Sequence, residues 1–208
     1  MGSMTSMTRQ INLIVVHCSA TADGDSLFSG KAGQPGFLNA ADRIDAMHAA
    51  RGFQRTHPDA KFWNPHLQHI GYHFVIACNG AVFTGRGLDE IGAHSKGFNA
   101  NSVGICMTGT ARFSAAQFEK LAFLIRQLSG KYGLPLTAAK RIVDKAAPLG
   151  YRQLGGTCGH RDLSPDLNGN GLIEPFEYLK TCPGFDVAAY LKRGLTPLAE
   201  NLCDEIAH

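Results

Sequence analysis

The chain has 208 residues, 44% hydrophobic and 18% charged, with a formal net charge of +3. That length suits one domain with its own core, and the composition excludes a disordered or collagen-like chain. The small positive charge mildly favours an anionic partner and falls far short of a nucleic-acid-binding signature.

The first ten residues, MGSMTSMTRQ, are polar and read as a disordered leader or tag. The apolar run after them is too short for a signal-peptide core and no cleavage site follows, so cytoplasmic synthesis is expected. No run of about 18 apolar residues is present, so no membrane insertion is expected. The six cysteines (18, 78, 106, 158, 182 and 203) then read as thiols or ligands before disulfides.

Residues 11–18, INLIVVHC, are apolar and β-branched and predict a buried central strand that closes on His17. Residues 19–38 are rich in Gly, Ser, Ala and Asp and predict a long surface loop. Asn39 is placed to cap a helix over 40–51, with Ile44, Met47 and His48 on one face and Gly52 at its end. Residues 53–69 carry two prolines and clustered aromatics, the pattern of an irregular insertion. Two β-rich runs then flank Asn79-Gly80, a hairpin signal in which both turn residues take positive φ. Alternation sets Tyr72 and Phe74 on one face and His73 on the other. A glycine-rich loop over 87–102 contains His94, and 103–108 predict another buried strand. Ser114 and Gln117 form a capping box ahead of Phe118, Leu121, Ala122, Ile125 and Leu128 at helical spacing. Thr137 is placed to cap a helix to about Ala147, 155–163 read as a loop, and short helices are expected over 174–180 and 186–193. The pattern predicts an α/β fold: a single domain with a central mixed β-sheet flanked by helices.

The chemistry concentrates in residues 159–183, GHRDLSPDLNGNGLIEPFEYLKTCP. A catalytic zinc needs three protein ligands and an open fourth position, and imidazole and thiolate suit that metal. His17, His160 and Cys182 supply such a set, provided that the fold brings them together in a surface groove. Taken singly, a histidine at a strand end is also a satisfied polar residue, and a buried cysteine a small hydrophobe. His66 and His69 have an HxxH spacing but no accompanying glutamate. Residues 166–177, DLNGNGLIEPFE, satisfy the calcium-loop pattern, with Asp166, Asn168, Asn170, the Leu172 carbonyl and Glu177 as ligands. The alternative there is an Asn-Gly turn capped by carboxylates.

The segments IVVHCSAT, GYHFVI, GAHSKGFNANSVGICMTG, GHRD and KTCPGFD stand in order along the chain. Together they resemble the type 2 N-acetylmuramoyl-L-alanine amidases, a family that includes phage amidase-type lysozymes and the peptidoglycan recognition proteins. The resemblance implies an amidase domain over 11–193 with insertions at about 53–69 and 163–179, and a tail over 194–208. It implies zinc ligands at His17, His160 and Cys182, catalytic roles for Tyr72 and Lys180, and a place near the substrate cleft for His94. The implied reaction is zinc-dependent hydrolysis of the bond between N-acetylmuramic acid and L-alanine in peptidoglycan, by a monomeric endolysin or other wall-lytic enzyme. The alternatives are a peptidoglycan-binding module without catalysis, or the same chemistry deployed as an interbacterial toxin. In the recognition branch, loss of the cysteine ligand accompanies loss of activity; Cys182 is present here.

Overall fold

The structure, a computed structural model, describes residues 9–204. Ten regular elements follow one another: β1 (Leu13–Cys18), α1 (Ala40–Ala49), β2 (Phe74–Ile76), β3 (Val82–Thr84), β4 (Ser102–Met107), α2 (Ala115–Tyr132), β5 (Arg141–Val143), β6 (Tyr151–Gln153), β7 (Gly156–Gly159) and α3 (Val187–Lys192). Five strands form one mixed sheet in the order β3-β2-β4-β1-β7. β1 lies between β4 and β7, parallel to both, with Val15 opposite Gly104 on one side and Cys158 on the other. Only β3 runs antiparallel, at the edge. Every residue of β1 and β4 is buried, which is why both read as continuous apolar runs.

Strand alternation divides the side chains between two layers. Ile14, Val16, Ile105 and Met107 pack with Phe118, Leu121 and Ile125 of α2 and with Val187 and Tyr190 of α3. Val75, Ala77 and Cys106 meet Ala40, Ala41 and Ile44 of α1 on the opposite face. His17 shares the face of Leu13 and Val15 and alternates with Val16, so it faces away from α2 at the carboxyl end of a parallel strand. That end is where open α/β sheets place their ligands.

Both long helices start as expected. Asn39 caps α1 in a capping box with Asp42, and Ser114 caps α2 in one with Gln117. Gln117 also donates to Ile76 O and Thr108 O, tying the start of α2 to the ends of β2 and β4. Gly133 ends α2 in the left-handed conformation.

Several expectations are corrected. The helix expected from Thr137 is instead a chain that pairs with β7, through Ala139 N–H to Thr157 O and Thr157 N–H to Thr137 O, and then runs into the β5–β6 hairpin. Strand partners outweigh local propensity there. Residues 156–159 within the expected loop form β7. The helix expected over 174–180 is one 3-10 turn, Pro175–Glu177, because Leu179 N–H leaves to bond Ser164 Oγ. In the hairpin only Gly80 has positive φ; Asn79 serves through its side chain, which accepts from Ala81 N–H. Tyr72 packs on the α1 side and Phe74 on the α2 side, because regular pairing begins only at Phe74.

The insertion at 53–69 is pinned by one side chain. The Arg55 guanidinium donates to both Glu90 carboxylate oxygens, at 3.2 and 2.7 Å, and to the carbonyls of Trp63, Asn64 and Leu67. Both partners of this ion pair are 1% exposed. Glu90→Ala strands a buried guanidinium and is expected to cost about 3–5 kcal/mol in urea denaturation. A loss below about 1 kcal/mol, the range of surface pairs, contradicts that account.

Arg9 belongs to the packed structure: it donates to the carbonyls of Leu88 and Asn99. The rest of the expected leader, residues 1–8, lies outside the described residues. In the tail, Leu202 pairs with Phe113, while residues 205–208 lie outside the described residues. Among the described residues no helix is long and apolar enough to cross a membrane, and no disulfide joins the cysteines.

Candidate active site

Three remote segments meet at His17. Val16 is paired with Gly159 in the parallel β1–β7 register, so the next residues, His17 and His160, emerge side by side, with ring centroids 4.7 Å apart. The third segment arrives through backbone bonds: Arg161 N–H donates to Cys182 O at 2.7 Å, and Gly184 N–H to Thr110 O at 3.0 Å. Two glycines permit this approach. A Cβ on Gly159 would meet Pro183 Cδ at 2.9 Å, and one on Gly184 would meet Ala111 Cα at 2.5 Å.

The result is a set of ligand atoms from His17, His160 and Cys182 that all lie within 4.8 Å of one another. Cys182 Sγ is 3.8 Å from His17 Nδ1. Tetrahedral zinc with ordinary bond lengths separates a sulfur and a nitrogen ligand by about 3.5 Å, so this pair fits the metal closely. The sulfur also accepts Cys18 N–H at 3.1 Å, a bond that favours thiolate, whereas the Cys18 side chain and burial push the metal-free thiol up.

Electrostatics keep the imidazoles neutral, as metal ligation requires. Burial, reinforced by His94 and His160, pushes His17 well below its ordinary range. Burial, with Lys180 adding to it, lowers His160 to about 4. Tyr72 packs with tilted rings against His17 and His48 at centroid distances of 5.1 and 5.2 Å. Burial raises its phenol well above 10, so at neutral pH Tyr72 is a hydrogen-bond donor rather than a phenolate.

Lys180 lines the groove with Tyr72, His94, His160 and Cys182. It lies on an irregular segment rather than on the expected helix. The groove continues into a cavity of about 410 Å³ walled by Phe53, Lys96, Asn99, Leu163 and Leu179. A larger cavity, about 750 Å³, is walled by Trp63, Phe74 and Tyr132 and includes none of the three ligand residues.

His94 stands against His17, its Nδ1 3.0 Å from His17 Nε2. His66 and His69 do not join the cluster: His69 meets the Phe53 carbonyl, and His66 lies exposed near Asp42. Sequence reasoning missed His48, Asn99 and Cys18. His48 accepts Gly71 N–H and packs on Tyr72 and Phe53, which sets the entry to β2; its spacing with Ile44 showed only that it shares their face. Asn99 accepts the backbone N–H groups of His94 and Ser95 through its side-chain oxygen.

The 166–177 loop is ordered by its own polar groups. Asp166 Oδ1 accepts from Gly169 and Asn170, and Oδ2 from Gly171. Glu177, 2% exposed, accepts from Leu167, Asn168 and Glu174. Asn168 and Asn170 both donate to Glu174. Both carboxylates that bracket the loop therefore point inward.

Comparison with known proteins decides the family. The model of the N-acetylmuramoyl-L-alanine amidase family matches residues 7–185. The chain belongs to that family. An uncharacterized protein of Haemophilus influenzae is 43% identical over 121 residues, 54% of this chain and 87% of that protein. The endolysin of Escherichia phage T7 is 39% identical over 88 residues, which is 38% of the amidase described here and 58% of the endolysin. Among solved structures, the amidase LysC of Clostridium intestinale superposes with a TM-score of 0.54 at 22% identity, covering 90% of this chain and 86% of its own, a likeness of fold.

Proposed function

We propose that this amidase hydrolyses the amide between the lactyl group of N-acetylmuramic acid and L-alanine in peptidoglycan, with zinc held by His17, His160 and Cys182. The observation that carries the reading is the convergence of two neutral imidazoles and a thiol, with His160 and Cys182 lining a groove beside Lys180 and Tyr72 and His17 buried behind them. When bound, zinc polarises a carbonyl and lowers the pKa of its water toward about 7. Lys180 supplies positive charge where negative charge develops on the carbonyl oxygen. Tyr72, kept protonated by burial, orients the attacking water or the scissile carbonyl by donating a hydrogen bond. A binding module without catalysis has no use for a cysteine in the ligand set, so Cys182 favours the enzyme. The test is solubilisation of purified peptidoglycan, expected to stop with a chelator and to return with added zinc. Chelator-insensitive activity from zinc-free protein contradicts it.

The same reading takes the protein as a monomer that is made in the cytoplasm and reaches the wall by release or delivery. An endolysin and an interbacterial toxin share this chemistry; neighbouring holin or secretion genes distinguish them.

We also propose calcium in the 166–177 loop, supported by the inward, buried carboxylates of Asp166 and Glu177. Oxygen-only coordination selects calcium over zinc. A cation bound only by the folded form stabilises it according to occupancy, so millimolar calcium is expected to raise the melting temperature of stripped protein, and Glu177→Gln to blunt the rise. An unchanged melting temperature contradicts the site.

A further inference from the structure

We propose that His94 is a positioning residue: it accepts the Nε2 proton of His17 and so presents His17 Nδ1, unprotonated, to the metal. The inference rests on the zinc reading above and adds a residue to it. His17 turns Nδ1 toward Cys182, at 3.8 Å, and Nε2 toward His94 Nδ1, at 3.0 Å. A neutral imidazole carries one proton. Were it on Nδ1, His17 would present N–H to the ligand set and bind nothing. With the proton on Nε2, the hydrogen bond to His94 and the ligand lone pair coexist. His94 then carries its own proton on Nε2, which faces Ser102 Oγ at 3.5 Å.

The surroundings of His94 are shaped for its ring. A Cβ on Gly92 would come within 2.4 Å of the imidazole Cδ2, and one on Gly104 within 2.7 Å. The imidazole thus occupies a slot between two glycine backbones. Neither glycine has positive φ, so space rather than backbone freedom explains them. Gly104 is the more telling, because it sits inside β4, a fully buried strand, where glycine weakens a sheet unless something approaches closely. The backbone of His94 is clamped as well: its N–H and that of Ser95 both donate to Asn99 Oδ1, at 2.9 and 2.8 Å. The segment GAHSKGFNANS thus carries the ring, its clamp and its outer partner together.

The test compares His94→Leu, which removes the acceptor at similar bulk, with His94→Asn, whose Oδ1 falls near the position of Nδ1. Zinc affinity is measured by competition with a chromophoric chelator, and the melting temperature of each zinc-free protein is recorded. His94→Leu is expected to lose about 10- to 100-fold in zinc affinity, the usual effect of removing a partner of a metal-bound histidine. His94→Asn is expected to recover most of that loss, and the zinc-free melting temperatures of the two variants to agree. Parental zinc affinity in His94→Leu, or equal loss in both variants, overturns the proposal. Should His94→Leu fail to fold, Gly104→Ala decides: it crowds the ring without touching a ligand and is expected to weaken zinc, and unchanged affinity overturns the proposal. A parent protein that takes up no zinc overturns the metal reading itself, whatever the variants do.

Discussion

His17→Ala, His160→Ala and Cys182→Ala are each expected to abolish peptidoglycan hydrolysis and to leave the purified protein without stoichiometric zinc. A catalytic zinc site has three protein ligands, and losing one leaves two for a metal that prefers four-coordination. The remaining groups do not compensate. His94 is directed at His17 Nε2 rather than at the ligand cluster, and Lys180 is a cation. The Cys182 variant carries a further cost, because Cys18 N–H loses the sulfur that accepts it. The check is elemental analysis after dialysis, read beside turbidity loss of a wall suspension. Full zinc content with parental activity in any one of the three would remove that residue from the site.

Lys180→Ala is expected to lower turnover by about 100- to 1000-fold, the range seen when one stabiliser of a developing oxyanion is removed. Zinc content should stay near that of the parent, because Lys180 lines the groove without belonging to the ligand set. This separation of rate from metal distinguishes Lys180 from the ligands. It is checked by initial rates on soluble muropeptide alongside elemental analysis. Tyr72→Phe should act in the same sense, since the phenol is a neutral donor beside His17. A parental rate in Lys180→Ala would assign that lysine to the solvated rim.

The legible parts of the fold are those whose signals are local. β1 and β4 are continuous apolar runs because both faces are covered, and α1, α2 and α3 each begin at a side-chain cap. The extended segment at Thr137–Ala139 was not legible, because its backbone bonds go to Thr157 of β7 rather than to its own neighbours. Tyr72 and Phe74 show the same limit: their faces follow from where pairing starts, and alternation carries no information on that.

The candidate ligand residues were readable as chemistry, and family motifs supplied their grouping. Their meeting depends on the β1–β7 register, on Gly159 and on Gly184, which no spacing rule displays. Nothing in the sequence sets Arg55 apart within residues 53–69. Only the fold reveals that it holds that insertion onto Glu90. His94 was legible as a cleft residue through the motif, whereas its contact with His17 required the slot between Gly92 and Gly104 to be seen.

The most direct test is to digest purified peptidoglycan with the zinc-loaded protein and to identify the chain ends that appear. New free amino groups on L-alanine, with no increase in sugar reducing ends, are the predicted result. New reducing ends without freed L-alanine would show a glycosidase and contradict the amidase account.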